Sequence, residues 1–404
     1  ALLVADPAGV KRVLVDNVAN YPKTTLERRF FSVLFGDGLL STDGEQWRGH
    51  RRIMAPAFDP RSVAGYGPAM AATADAFLAR WDALPDGASL DISEEMTLLT
   101  LQIICRTMFF ADGDDELVAL VARTMKDGVL EMRGGLLDLI PVLSDWRFAR
   151  REREATAAFA PLDAAIARMI AEREADPKAS PDDLLSRLIA ARDAETGARM
   201  TAREVRDQLI TIFIAGHETT ASAMTWIWYV LSQHPAWDAA LAADLDRVLG
   251  GRAPTQEDLP ALGLARRIAE ETMRLYPPAP GLSTRVALAD DEICGVKVKK
   301  GTQIVVMPWV TQRHRAHWDH PERFDPDRFL PERSTGRPRL AYMPFGAGPR
   351  ICIGMLMAVN EIVLILAALA RRYRAELEPG HPVVLRQQVT LRPRHGMRMR
   401  LRRR

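Results

Sequence analysis

The segment Phe345-Gly346-Ala347-Gly348-Pro349-Arg350-Ile351-Cys352-Ile353-Gly354 places one cysteine in a short apolar loop, directly before an apolar run that begins near Met355. Glycine permits turns that a Cβ atom would block, so backbone N–H groups can approach the cysteine sulfur. A thiolate in such a loop can bind a metal ion strongly, and Arg350 supplies a cation for an anionic edge of a cofactor. The pattern also predicts a long apolar helix after the loop.

Two simpler interpretations of this segment compete with a metal site. A lone cysteine is most often a buried structural residue, and Gly346 and Gly348 begin a G-x-G pattern typical of dinucleotide loops. The dinucleotide pattern fails because Ile351 stands where its third glycine is required. Five specified positions favour the metal site, because they match Phe-x-x-Gly-x-Arg-x-Cys-x-Gly. That pattern resembles the haem-thiolate monooxygenases, the cytochrome P450 family, and implies that Cys352 is the iron ligand.

Composition is that of an ordinary globular protein. The chain has 404 residues, of which 48% are hydrophobic and 26% charged, enough for a large core. The formal net charge of +2 gives no reason to expect nucleic acid as a partner. Cys105, Cys294 and Cys352 form no CxxC pattern, so neither a disulfide framework nor a zinc cluster is indicated. We expect a cytoplasmic protein from a bacterial source, because arginine greatly outnumbers lysine. A membrane anchor upstream of residue 1 stays an alternative.

Periodicity predicts helices through the middle of the chain and small sheets at its edges. The predicted helices include Met96–Phe110, Asp114–Leu130, Arg150–Glu172 and Ala236–Leu249. The predicted strands are Ser283–Leu288, Ile293–Val298, Gln303–Met307, Val383–Leu391 and Met397–Leu401. The fold class is therefore mainly α with small β-sheets (α+β). Residues 1–404 contain no evident linker, so we expect a single haem-binding domain, without the family's usual N-terminal segment of about fifty residues.

One apolar run, Leu209–Leu231, is long enough to span a bilayer. Its centre is Ala215-Gly216-His217-Glu218-Thr219-Thr220, and a charged residue at the bilayer centre costs about 2.5–3.5 kcal/mol on insertion scales. We therefore predict a helix buried within the domain. An adjacent acid and alcohol can relay protons, although a core helix with a satisfied polar patch would look similar. The segment resembles the family's oxygen-activation site, which implies that Gly216 leaves room beside the iron, Glu218 relays protons and Thr219 steadies the bound dioxygen, with His217 a bystander.

A further motif is Glu271-x-x-Arg274, which precedes Leu275-Tyr276-Pro277-Pro278. Residues three apart share a helix face and can pair, although exposed pairs of this type contribute only about 0–1 kcal/mol. The resemblance implies that Glu271 and Arg274 pair with a downstream arginine in a buried structural cluster. Phe324-x-Pro-x-Arg328-Phe is the fuller match to the family, so we predict Arg328, with Arg323 as the second choice.

Three cationic positions complete the expected haem site. Trp47 and Arg51 resemble the family's Trp-x-x-x-Arg pattern, and Arg285 and Arg350 match further positions near the haem propionates. Guanidinium and indole N–H groups are donors that carboxylates accept, whereas each of these arginines alone would be read as a solvated surface residue. The resemblance adds the remaining haem contacts: Phe345, Gly346, Gly354 and Ala215.

The resemblance implies a monooxygenase with haem b between the Cys352 loop and the helix around Gly216. One oxygen atom of O2 would enter an apolar substrate, with electrons from NAD(P)H delivered by a separate ferredoxin or flavodoxin and its reductase to a basic proximal face of a monomer. One rival is a haem-thiolate peroxygenase or hydroperoxide-rearranging enzyme, which typically lacks the pair formed by Glu218 and Thr219. The other is a non-enzymatic haem protein for sensing or electron transfer.

The substrate pocket is expected from the family alignment alone. Leu40, Ala279, Leu282 and Val389 should face it, along with the helix near Ala215. None is charged, so a fatty acid, terpene, steroid or aromatic compound would fit. The sequences around Leu40 and at Gly216–Thr219 resemble those of the fatty-acid-hydroxylating branch of the family, which weakly favours a fatty acid as the substrate.

Overall fold

The computed structural model describes residues 1–109, 118–121, 123–124, 141–176, 183–387 and 389–404. The α-helices are α1 (Pro7–Lys11), α2 (Thr25–Phe35), α3 (Gly44–Met54), α4 (Pro60–Asp82), α5 (Ile92–Phe109), α6 (Pro141–Ala175), α7 (Leu184–Ala190), α8 (Ala202–Gln233), α9 (Pro235–Leu249), α10 (Gly263–Leu275), α11 (Pro308–Thr311), α12 (Pro331–Ser334) and α13 (Met355–Ala370). The strands are β1 (Leu2–Val4), β2 (Ser89–Asp91), β3 (Arg285–Val286), β4 (Asp291–Ile293), β5 (Val296–Val298), β6 (Gln303–Val306), β7 (Tyr373–Leu377), β8 (Leu385–Gln387), β9 (Leu391–Pro393) and β10 (Arg398–Arg403). The predicted helical fold with small sheets is confirmed, while the predicted helix Asp114–Leu130 lies largely outside the described residues.

Local sequence accounts for the ends of the long helices. At the start of α8, Thr201 Oγ1 accepts a hydrogen bond from the Glu204 N–H at 3.2 Å, and Glu204 Oε2 accepts one from the Thr201 N–H at 2.8 Å. This reciprocal pair is a capping box, which satisfies two N–H groups that have no partner within the helix. Helix α10 ends at Leu275 because Pro277 cannot continue it.

The chain forms two compact units. The larger unit comprises Ala1–Pro22, Pro60–Ile103 and Gly216–Arg404, and the smaller unit comprises Lys23–Asp59 and Ile104–Ala215. The chain passes from the smaller to the larger unit within α8, between Ala215 and Gly216. Among the described helices, none combines the length and apolar character needed to cross a bilayer.

The core of the larger unit is built around α13, whose apolar residues are buried almost throughout and pack against α4 and α10. Trp81 of α4 contacts the rings of Trp228 and Tyr373 at centroid distances of 5.9 and 5.5 Å. Trp226 of α8 stacks on Tyr276 at 4.6 Å. These aromatic contacts fix α8 against the segment that follows α10, where two predicted substrate residues lie.

The strands form small sheets. Their strand orders are β1-β6-β3, β2-β10-β7, β4-β5 and β8-β9. Strand β1 runs parallel to β6, with Leu2 opposite Ile304, and the remaining pairings are antiparallel. Thus the N-terminal strand is joined to a strand three hundred positions later in the chain, which anchors the start of the larger unit.

Two strand predictions were wrong because each merged a hairpin into one strand. Ile293–Val298 contains the last residue of β4, a turn and all of β5. Cys294 and Gly295 form the turn, with left-handed φ values of 48° and 80°. Val383–Leu391 contains β8 and the first residue of β9, joined through Val389 and Thr390. This second run has no glycine or proline, so the sequence carries no turn signal there.

In the smaller unit, α2 packs against α6, and α7 packs beside α6. The loop after α2 lies on the first half of α8. The N–H of Asp37 donates to Asp207 at 2.9 Å and the N–H of Leu39 donates to Gln208 at 3.0 Å. A Cβ atom at Gly38 would lie 1.9 Å from Thr211 Oγ1, so this close approach requires glycine.

Candidate active site

The cysteine loop, residues 345–354, is closed by a hydrogen bond from the Cys352 N–H to the Phe345 carbonyl at 2.9 Å. Gly346 and Gly348 adopt left-handed φ values of 74° and 69°, which favour glycine. A Cβ atom at Gly348 would lie 1.8 Å from the carbonyl oxygen of Leu14, so a side chain is excluded there. Cys352 itself is exposed. The glycines of the motif thus shape a tight loop around Cys352.

Helix α13 begins directly after the loop, at Met355, with Gly354 as its N-cap residue. The Gly354 carbonyl accepts a hydrogen bond from the Ala358 N–H at 2.8 Å. The predicted cofactor contacts Phe345, Gly346, Arg350 and Gly354 are all half-buried. The start of a rigid, buried helix therefore holds one end of the cysteine loop.

A buried charged cluster lies in the same unit. Arg274 donates two hydrogen bonds to the Glu271 carboxylate, at 2.6 and 2.8 Å. The Asp325 N–H donates to Glu271 Oε1 at 2.9 Å, and Arg328 Nε lies 3.3 Å from the same oxygen. Arg323 is exposed and contributes its backbone carbonyl, which accepts from Arg274 and Arg328 at 3.2 and 3.3 Å. The structure therefore brings the side chain of Arg328, and not that of Arg323, to Glu271.

Burial dominates the electrostatics of this cluster. It raises the pKa of Glu271, and the hydrogen bonds from Arg274 act in the opposite direction. Burial also lowers the pKa of Arg328, with the Glu271 carboxylate opposing the change. A bidentate arginine–carboxylate pair combines charge with fixed geometry, so the cluster links α10 to the loop around Arg328 in one defined arrangement.

Two residues that sequence reasoning missed connect this cluster to the cysteine loop. Gln312 accepts a hydrogen bond from the Met343 N–H at 2.9 Å, just before the loop, and its carbonyl accepts from Arg274 at 3.0 Å. The Arg274 guanidinium lies 4.9 Å from the ring of Trp318, whose indole N–H donates to the Ala341 carbonyl at 3.2 Å. Both contacts are distant in sequence, and neither residue belongs to a recognisable pattern.

The centre of α8 is open on one stripe. From residue 207 to residue 228, all of which the structure describes, only Ala215, Gly216, Glu218 and Thr219 are not buried. They interrupt an otherwise buried, apolar helix, and they include the acid and the alcohol of the predicted relay. An open stripe at the middle of a core helix is expected where a ligand lies against it. His217 points its side chain into the protein and is buried.

Glu218 has two partners from the C-terminal hairpin, which the sequence did not indicate. Thr390 Oγ1 donates to Glu218 Oε1 at 2.7 Å, and Arg392 Nε lies 3.1 Å from the same oxygen. Both residues lie in or beside β9. The carboxylate of Glu218, the predicted relay acid, is thus hydrogen-bonded to a residue more than 170 positions away in the chain.

The predicted propionate residues fall in both units. Arg285 begins β3 in the larger unit, opposite Ile304, and is buried. Trp47 and Arg51 lie one turn apart on α3 of the smaller unit, and both are half-buried. Each residue thus offers a donor at a partly shielded position, as a carboxylate ligand requires.

Of the predicted substrate residues, Ala279 and Leu282 are half-buried and follow α10. Leu282 side-chain atoms lie 3.8 Å from the position that a Cβ atom would take at Gly346, so Leu282 contacts the cysteine loop. Val389 is 51% exposed. Leu40, in the smaller unit, is half-buried, and its carbonyl accepts a hydrogen bond from Lys23 Nζ at 2.6 Å.

These residues fit haem b. Cys352 carries a thiol that could bind the haem iron, and Gly216 keeps side-chain volume away from the middle of α8. Arg285 and Arg350 supply donors for carboxylates within the same unit. Apolar side chains of Leu282 and Phe345 lie in and against the loop, as a flat apolar cofactor requires.

Comparisons with known proteins agree with this site. The family model for Cytochrome P450 matches residues 1–397, and the chain belongs to the cytochrome P450 family. Cyclooctatin synthase from Streptomyces melanosporofaciens is 36% identical over 395 residues, which cover 96% of this chain and 83% of the relative. Pentalenene oxygenase from Streptomyces avermitilis is 36% identical over 353 residues, covering 86% of this chain and 76% of the relative.

The fold has close structural matches as well. The crystal structure of the cytochrome P450DA haem domain superposes with a TM-score of 0.86 at 28% identity, covering all of this chain and 87% of that one. The protein is therefore a haem-thiolate monooxygenase, an oxidoreductase that uses haem iron, O2 and electrons derived from NAD(P)H. It acts on an organic substrate with the help of redox partners. The predicted family, fold class and reaction are confirmed.

Proposed function

We propose that residues 1–404 act as one haem-binding monooxygenase domain in which Cys352 would hold the haem iron through its thiolate. Bound haem b supplies oxygen activation, and a thiolate ligand favours O–O cleavage. One observation carries the proposal: an exposed cysteine in a glycine-shaped loop shares a compact unit with an open acid–alcohol pair at the centre of a buried helix. The acid–alcohol pair favours a monooxygenase over a peroxygenase or hydroperoxide-rearranging enzyme.

The cluster of Glu271, Arg274 and Arg328 has a structural role in this proposal. It is connected through Gln312 to the backbone of Met343, immediately before the cysteine loop. Rigid support for a ligand loop lowers the reorganisation that ligand binding requires. Loss of the cluster should therefore weaken haem retention more than it alters substrate preference.

Glu218 and Thr219 carry protons to the reacting oxygen. The Glu218 side chain is 17% exposed, so it can take a proton from water, and the adjacent Thr219 hydroxyl can pass one toward a ligand beside Gly216. Each proton that enters from solvent leaves toward the reacting oxygen, and the carboxylate is regenerated. The carboxylates of the cofactor would accept hydrogen bonds from four donors, which orient it: Arg285, Arg350, Trp47 and Arg51.

The substrate is an apolar molecule of moderate size. Leu40, Ala279, Leu282 and Val389 supply apolar surface, and none can pair with a charged group. The relatives support neutral substrates, because the names pentalenene oxygenase and cyclooctat-9-en-7-ol 5-monooxygenase denote an alkene and an unsaturated alcohol. We therefore place neutral alkenes and alcohols ahead of fatty acids. A spectral titration with pentalenene and with palmitate tests this order, and tighter binding of palmitate would reverse it.

Electrons reach the haem from a separate ferredoxin or flavodoxin and its reductase. Basic residues on the side of the cysteine loop would attract an acidic carrier, and such an attraction weakens as salt screens it. We further propose that the protein works as a monomer. Reconstitution with a ferredoxin and with a flavodoxin at several salt concentrations tests the carrier, and sedimentation of the purified protein tests the monomer.

Thr219→Ala is the experiment for the relay. The variant should retain haem and bind substrate like the parent, because Thr219 is only half-buried and the substitution leaves the rest of α8 unchanged. Product formed per NAD(P)H consumed should fall, with the electrons recovered as hydrogen peroxide. Thr219→Ser is the matched control, since it keeps the hydroxyl and should stay coupled. Unchanged coupling in Thr219→Ala would remove this residue from the mechanism.

A further inference from the structure

Glu218 is held at one oxygen by two residues of the C-terminal hairpin. Its Oε1 accepts a hydrogen bond from Thr390 Oγ1 at 2.7 Å and lies 3.1 Å from Arg392 Nε. Thr390 is buried, Glu218 is 17% exposed and Arg392 is 38% exposed. The two contacts therefore run from the protein interior, through the carboxylate, to a cation that meets water. Both fall on Oε1, which leaves Oε2 for proton exchange.

The hairpin segment is fixed to α8 independently of Glu218. The Leu391 carbonyl accepts hydrogen bonds from Ser222 Oγ at 2.6 Å and from the Trp226 indole N–H at 2.9 Å. Residues 218, 222 and 226 are four apart, so they line one face of α8. On the other side, the Leu391 N–H donates to the Pro278 carbonyl at 2.9 Å. Because Leu391 is anchored on both sides, its neighbours Thr390 and Arg392 form a fixed support.

A fixed support determines where the carboxylate points. A free glutamate side chain samples several rotamers, whereas a hydrogen bond to a carboxylate is short and stronger than one between neutral groups. Thr390 sets the direction of the Glu218 side chain, and the cation of Arg392 holds the carboxylate toward the solvent edge. Proton transfer requires hydrogen-bond distance between donor and acceptor, so loss of either contact should reduce delivery without removing the acid.

We propose that Thr390 and Arg392 are positioning residues for proton delivery by Glu218. This inference rests on the proposed role of Glu218 in the monooxygenase reaction. Thr390 and Arg392 touch neither the reacting oxygen nor the cofactor in this scheme; they act through the carboxylate that they hold.

The experiment uses the haem-loaded protein with two disruptive variants, Thr390→Val and Arg392→Gln. Both should keep the carbon-monoxide band and the parent affinity for substrate. Product per NAD(P)H should fall severalfold, and the solvent deuterium isotope effect on product formation should rise because proton delivery becomes slower. Thr390→Ser and Arg392→Lys should restore both quantities, since each keeps the hydroxyl or the charge.

Matched controls come from the same two elements. Thr225→Val removes a buried hydroxyl of α8 that bonds to the Ala221 carbonyl of the same helix. Arg386→Gln removes a cation from the strand position directly opposite Arg392. Neither side chain contacts Glu218, so both controls should match the parent. A readout independent of turnover is the denaturation midpoint of the loaded protein, where Glu218→Ala and Thr390→Val should be non-additive because each removes the hydrogen bond between Thr390 Oγ1 and the Glu218 carboxylate.

The outcomes separate this inference from the proposed function. The inference would be overturned if Thr390→Val and Arg392→Gln show the coupling and isotope effects of the parent while Glu218→Gln is uncoupled. That result would leave the proposed role of Glu218 unaffected. A coupled Glu218→Gln would overturn both. If Thr390→Ser fails to restore coupling, or if the midpoints are additive, Thr390 is a packing residue and the inference is wrong.

Discussion

Glu361 lies in the middle of α13, the helix that follows the cysteine loop, and only 3% of it is exposed. Burial raises the pKa of its carboxyl from the ordinary value of 4.5 to about 8. Desolvation disfavours the charged form of a carboxyl group. The folded protein therefore holds a proton on Glu361 that the unfolded chain releases near pH 4.5.

The sign and size of the effect follow from proton linkage. Between pH 4.5 and pH 8 the folded state binds the extra proton, so the free energy of unfolding falls as pH rises. Each pH unit costs about 1.36 kcal/mol, which gives about 3 kcal/mol between pH 5 and pH 7. The stabilisation is complete below pH 4.5 and is lost as pH rises toward 8. Glu361→Gln is neutral at every pH, so it removes this slope.

The assay is urea unfolding of the haem-loaded parent and of Glu361→Gln at several pH values from 5 to 8. The difference in unfolding free energy, variant minus parent, should grow in favour of the variant by about 3 kcal/mol between pH 5 and pH 7. Comparing slopes cancels any constant cost of burying the amide. Glu257→Gln makes the same chemical change at an exposed position and should show no such growth. Parallel pH profiles for the parent and Glu361→Gln would refute the reasoning, because they would mean that Glu361 titrates alike in both states.

Two further predictions concern the cluster and the pocket. Arg328→Ala removes one partner of a buried ion pair, at a cost of about 3–5 kcal/mol, so the variant should lose haem during purification or gentle heating. Arg323→Ala should retain haem because that side chain is exposed. Equal haem content in the two variants would show that Arg328 does not complete the cluster with Glu271. Ala279→Phe adds volume to the expected pocket, and overpacking costs about 1–3 kcal/mol. Spectral titrations should therefore show weaker binding of bulky substrates, or product analysis should show a new site of oxidation. The carbon-monoxide band should be retained. Parent-like affinities and products across several substrates would place Ala279 outside the pocket.

Local patterns predicted the parts of this structure that local physics determines. The capping box at Thr201 and Glu204 corresponds to a Thr-x-x-Glu spacing that is visible in the sequence, and α13 begins at Met355, as predicted, after a loop whose glycines have left-handed backbone conformations. In each case the residues that specify the feature lie within a few positions of one another. Long, strongly periodic helices were predictable for the same reason.

Features that depend on distant residues could not be predicted from sequence. Two arginines five positions apart compete for Glu271, and only the folded loop shows that Arg328 turns inward while Arg323 turns outward. Gln312 and Thr390 have no sequence signature, because their partners lie 31 and 172 positions away. The hairpin from β8 to β9 was missed because its turn lacks glycine and proline.

The central claim is that Cys352 supplies the thiolate ligand of the haem. The most direct test is the absorption spectrum of the reduced carbon-monoxide complex, recorded for the parent, Cys352→Ala and Cys105→Ala. Thiolate ligation gives this family a red-shifted band, so the parent and Cys105→Ala should show it and Cys352→Ala should not. An unaltered red-shifted band in Cys352→Ala would contradict the claim, because a different residue would then have to hold the iron.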